Sequence, residues 1–143
     1  MSDSSQADEA IEWARETLAN VVQEIMDEGV IDSPLLESKP AWTKPFDIVI
    51  GKLRDQGQQA EFLWVIGGSV PIDCVHSGVA STARDAARHF SMKWQLEAAR
   101  LENPAELKRL GLDPATDWQA EAKALIAKAE YLYAVVDDDR FWS

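Results

Sequence analysis

The stretch Phe62-Leu63-Trp64-Val65-Ile66-Gly67-Gly68-Ser69-Val70-Pro71-Ile72-Asp73-Cys74-Val75-His76 reads as an apolar strand, a Gly-Gly break and an alternating strand. Strand Phe62 to Ile66 is apolar at every position, which a sheet with one wetted side does not tolerate. It is therefore expected at the centre of a sheet with both faces covered. Gly67-Gly68 suits a primed hairpin turn. Beyond it, Val70, Ile72 and Cys74 fall on one face. Pro71 cannot donate a ladder hydrogen bond, so this third strand belongs at an edge or begins after the proline. Upstream, Phe46-Asp47-Ile48-Val49-Ile50 alternates as a first strand, and the polar run 54–59 reads as the turn that follows it.

Helical periodicity brackets these strands. Ile11, Ala14, Leu18, Val21, Val22 and Ile25 make one stripe over residues 8–28, with Asp8 and Glu9 favouring the N-terminus. Residues 1–7 are expected to be disordered. Residues 32–45 hold Pro34, Pro40 and Pro45 and read as a loop packed down by Leu35, Leu36 and Trp42. From Ser81 the stripe Ala83, Ala87, Phe90, Trp94, Ala98 and Leu101 predicts a long helix, with Thr82 and Asp85 as its capping box. Asn103-Pro104-Ala105-Glu106 opens a short helix that Gly111 ends. Trp118, Ala122, Leu125, Ala129, Leu132 and Val136 predict a last helix from Asp117 to about Val136, capped by Thr116 with Gln119. The whole chain, 1–143, is expected to be a single α+β domain: a three-stranded antiparallel meander with an N-terminal helix and two long C-terminal helices packed on it.

At 143 residues the chain is long enough for one core without a disulfide. Cys74 is the only cysteine, so an internal disulfide and a cysteine-built zinc site are excluded. The N-terminus lacks the basic start and apolar run of a signal peptide, and no apolar run approaches the ~20 residues of a membrane helix. The expectation is a cytoplasmic protein with no membrane association. Net charge is −11. Residues 1–30 carry eight acidic side chains against Arg15 alone. Such a field repels phosphate backbones, which argues against nucleic acid and favours a basic protein partner or plain solubility.

Four features invite chemistry. Cys74 and His76 share a strand face, the geometry a thiolate and its base require, and His89 sits beside the next helix's stripe. Their face also carries Val70 and Ile72, which favours packing for Cys74. Gly67-Gly68-Ser69 offers backbone amides to an anion, with Arg84 and Arg88 four apart on one helix face. A phosphate loop opens directly into a helix, however, and here a strand intervenes. Asp137-Asp138-Asp139 resembles a hard-cation cluster, but it lacks the spacing of a calcium loop and suits a solvated chain end anchored by Phe141 and Trp142. Trp13 and Trp42 lie off the core pattern and are candidates for lining a pocket or a partner surface. No cofactor and no metal is expected.

Three pieces of pattern together resemble a small bacterial family of unknown function: Trp64-Val65-Ile66, the Gly-x-x-Pro-x-Asp run Gly68 to Asp73, and the acidic run Asp137 to Trp142 closed by tryptophan. The resemblance extends from Trp13 onward and implies no activity. The family pattern often has an acid at the place of Ser69 and an aromatic at that of Cys74, which weakens any chemistry assigned there. Three functions stay open. The first is a non-enzymatic binding or protein-interaction domain, with a homodimer as one form of it. The second is a ligand receptor or enzyme with a pocket around Trp64, Asp73, His76, Arg84 and Arg88. The third is an acidic inhibitor or immunity-type protein for a basic partner.

Overall fold

Helix α1 (Ser2–Asp27) carries its apolar stripe at Ala14, Leu18, Val21 and Ile25, all buried, spaced four, three and four residues apart. The computed structural model describes residues 2–31, 36–56 and 61–142; residues 32–35 of the expected loop and 57–59 of the expected turn lie outside them. The helix begins at Ser2, so the stretch 2–7 forms its first turns. Ile11, counted with the stripe in sequence, is 57% exposed, because the face that meets the sheet starts one turn later.

The sheet has four strands where three are expected: β1 (Leu36–Lys44), β2 (Ile48–Asp55), β3 (Leu63–Gly68) and β4 (Asp73–His76), an antiparallel meander in that order. The extra strand is β1, which runs through Pro40. An edge strand can carry a proline that an inner strand cannot. The register with β2 shifts between Pro40 and Trp42, leaving Ala41 as a bulge. Before the bulge Pro40 faces Gly51; after it Trp42 faces Ile50, so the bulge turns Trp42 to the opposite sheet face from Pro40. Strand β2 starts at Ile48 and runs on through Arg54 and Asp55, later at both ends than the sequence pattern predicts. Strand β3 is an inner strand, and β4 is an edge strand that begins after Pro71, as expected.

One sheet face receives α1. Val49, Leu53 and Val65 join the helix stripe in a buried cluster, with Leu36, Leu63, Ile72 and Cys74 half-buried around it. Two glycines let the helix approach. A Cβ on Gly51 would stand 2.8 Å from Leu18 Cδ1, and one on Gly67 would overlap Val21 Cγ2. Gly67 and Gly68 therefore do not form the hairpin turn expected of them. They are the last residues of β3, and the turn is made by residues 69–72. On the other sheet face β3 places Trp64 and Ile66. The Trp64 indole Nε1 donates to the Ala80 carbonyl at 3.0 Å.

The chain divides into two compact units, residues 1–86 and 87–143. Helix α2 (Ala83–Leu101) starts at the end of the first, and the Asp85 amide donates to Thr82 Oγ1 at 3.1 Å, half of the expected capping box. In the second unit Ala87, Phe90, Trp94 and Ala98 are buried along α2, with Phe90 and Trp94 stacked at 6.0 Å. Helix α3 (Pro104–Arg109) is capped by Asn103, whose side chain accepts from the Ala105 amide. Helix α4 (Trp118–Val136) is capped by Asp117, not by Thr116. The carboxylate is the better acceptor for the Ala120 amide at 3.1 Å, and its charge also complements the helix dipole. Ser91 Oγ, buried on α2, donates to the Ala129 carbonyl of α4 at 2.8 Å. At the chain end Trp142 folds back, its Nε1 donating to the Val135 carbonyl at 2.9 Å. Among the described residues no helix is long and apolar enough to cross a membrane.

Candidate functional site

Lys44-Pro45-Phe46-Asp47 joins β1 to β2, and the Asp47 amide donates to the Lys44 carbonyl at 3.0 Å to close the turn. Proline presets the second position of such a turn; the third often requires a positive φ and then selects glycine or asparagine. Here the third residue is Phe46, at φ 61°. A side chain in that region costs about 1–2 kcal/mol. Phe46 is 56% exposed. Its ring leans toward Trp13 of α1, with centroids 6.0 Å apart and planes tilted by 48°.

Asp47 then ties this turn to the one after β3. Its Oδ2 accepts from Lys44 Nζ at 2.8 Å, its Oδ1 accepts from Ser69 Oγ, and its carbonyl accepts from the Ser69 amide at 2.8 Å. Gly68, at φ 111°, brings the β3 end so close that a Cβ there would overlap the Asp47 carbonyl oxygen. Between the joined turns and α1 lies a groove of about 380 Å³. Trp13, Thr17 and Asn20 form its helical wall, with Phe46, Ser69 and Ile72 opposite. Two aromatic faces, an amide and two hydroxyls suit a ligand with both an apolar or cationic part and hydrogen-bonding groups.

The residues singled out in sequence are distributed by strand parity. Ile66 faces Asp73 and Trp64 faces Val75 across β3 and β4, so Trp64 and Asp73 share one sheet face. His76 faces Leu63 and Cys74 faces Val65, which puts both on the opposite face, beneath α1. The His76 imidazole is used locally: Nδ1 accepts from the Gly78 amide at 3.0 Å, and Nε2 lies 3.7 Å from Glu61. Asp73 Oδ1 accepts from the Cys74 amide at 2.8 Å. Cys74 packs half-buried against the α1 cluster. Arg84 and Arg88 lie in the first two turns of α2.

In the second unit, Asp138 caps the final 3-10 turn and accepts from the Arg140 amide and guanidinium, contacts of 2.6–3.2 Å that hold its carboxyl down at about 2. The Arg109 side chain likewise holds the Glu106 carboxyl below its ordinary value through hydrogen bonds of 2.6 and 3.2 Å. Both pairs are local ties within a turn. No group of three or more metal-ligating side chains converges among the described residues.

Of the groove, sequence reasoning reached Trp13 as an aromatic off the core pattern and missed Phe46 and Asp47. A signal was present: Pro45 followed by a bulky residue, where a turn of this type asks for glycine.

Residues 7–142 match the model of a family described as domain of unknown function (DUF4826), and the chain belongs to that family. No curated protein and no solved structure matches it.

Proposed function

We propose that the chain is a non-enzymatic protein-interaction domain that receives a basic segment of a partner protein in the groove between α1 and the two joined turns. The observation that carries this reading is Phe46, an exposed aromatic held in a backbone conformation that glycine would adopt without cost. Strain of this kind clusters at ligand clamps and other functional sites. Charge supports the choice of occupant. Glu9, Glu16 and Glu24 are exposed at three- and four-residue spacings from Trp13 and Asn20, so they border the groove's helical wall. An arginine or lysine laid along the exposed side of the Trp13–Phe46 pair would gain from the aromatic surface and from this field. The rival pocket around Trp64, Asp73, His76, Arg84 and Arg88 has less support, since His76 lies on the opposite sheet face from Trp64 and Asp73.

The test is titration of an arginine-rich peptide into the full chain, followed by amide chemical shifts. Saturable shifts should centre on Trp13, Phe46 and Ser69 and weaken with salt. Phe46→Gly leaves every charge in place and should bind about fivefold to tenfold more weakly. Equal binding by Phe46→Gly, or shifts spread evenly along α1, would overturn the reading.

A further inference from the structure

On the sheet face away from α1, Lys39 of β1 stands directly across from Lys52 of β2, and Glu37 across from Arg54. These four side chains line a cavity of about 200 Å³. Like charges placed directly opposite each other on neighbouring strands destabilise a sheet. The pairing is all the more conspicuous in a chain with 14 basic and 25 acidic residues, where an acid partner was easily supplied. Among the described residues none of Lys39, Lys52 and Arg54 forms an ion pair with a carboxylate. Glu37, the one acid in the patch, instead accepts from Gln56 Nε2 at 3.4 Å.

The position of Lys52 is fixed from beneath. Its ammonium lies 4.8 Å from the Phe62 ring centroid and 5.2 Å from that of Trp64. Those two rings meet edge to face at 5.1 Å, a rigid platform that presents the charge and cannot neutralise it. Arg54 adds the planar fork that matches phosphate oxygens two at a time. A liquid water occupies roughly 30 Å³, so the cavity has room for a phosphate group with its hydration partly retained.

We propose that Lys39, Lys52 and Arg54 form a binding site for a phosphate group, carried by a small phosphate monoester or as free phosphate. The site lies on a different sheet face from the groove at Phe46 and stands or falls independently of it. Bound phosphate relieves the Lys39–Lys52 repulsion, so its binding stabilises the folded chain by mass action.

The experiment titrates inorganic phosphate, and separately glycerol phosphate, into the full chain, with sodium chloride at matched ionic strength as the control. Saturable shifts at residues 39, 52 and 54, and a rise in Tm with phosphate beyond that with chloride, are expected. The stronger of the two probes identifies the source. The Lys39→Gln/Arg54→Gln double variant should bind at least about tenfold more weakly, and Lys52→Met, which keeps an apolar stem over the rings, should do the same. Shifts that follow ionic strength alone would overturn the proposal, as would undiminished phosphate affinity in the variants. A Lys39→Gln variant that self-associates while binding phosphate as tightly as the parent would also overturn it, by making Lys39 a guard of the sheet edge.

Discussion

Val21 fills the space in which a Cβ on Gly67 would stand. Helix α1 therefore rests on β3 at a glycine, as it rests on β2 at Gly51.

Gly67→Ala is expected to lower stability by about 1–3 kcal/mol, the usual cost of forcing extra volume into a packed contact. Urea unfolding measures it. In a Val21→Ala background the same substitution should cost much less, because the blocking methyl is gone. Additive losses in the double variant would show that the Val21–Gly67 contact is not the cause.

Ser91 makes a comparable commitment in the second unit, where its buried hydroxyl bridges α2 to the Ala129 carbonyl. Ser91→Ala should cost about 1–2 kcal/mol, because it removes the bond to Ala129 and the longer one that Ser91 Oγ accepts from Gln95 Nε2 at 3.3 Å. Ser91→Val removes both bonds and adds volume at a fully buried position, and should cost about 1–3 kcal/mol more. Guanidinium unfolding of the two variants separates these contributions.

Asp138 titrates low, at about 2, because Arg140 donates to its carboxylate from both side chain and backbone. Its folded value lies below the unfolded value of about 3.9, so the stabilisation is complete above roughly pH 4 and fades as pH falls through 2. The Arg140 side chain is 84% exposed, so salt weakens the pair. A carboxyl-carbon titration by NMR should give the low value for Asp138, and Arg140→Gln should return it most of the way toward 3.9.

The helices were legible because burial on one side imposes a three-and-four spacing, and Ala14, Leu18, Val21 and Ile25 display it without interruption. Strand β1 was not, since Pro40 and the polar run around it carry no alternation. What makes it a strand is the partner edge of β2, which lies outside the segment itself. Gly67 misled for a related reason. A glycine pair signals a turn when only neighbours in sequence are weighed, whereas here Gly67 makes room for a helix more than forty residues upstream and Gly68 for the Asp47 carbonyl. The candidate sites were the least legible. Phe46 and Asp47 matter through contacts with Trp13 and Ser69, and Lys39 matters through its strand-to-strand pairing with Lys52. Trp13 was reachable because an aromatic that does not fit a stripe is visible without knowing what it touches.

The bulge at Ala41 has a consequence for how this sheet meets other molecules. It breaks the even spacing of main-chain groups along β1, while β4 at the other margin is only four residues long and starts beyond Pro71. Neither margin is a good template for an added strand. A visiting chain must then be recognised by its side chains, which makes selectivity, instead of generic strand addition, the natural mode of this surface.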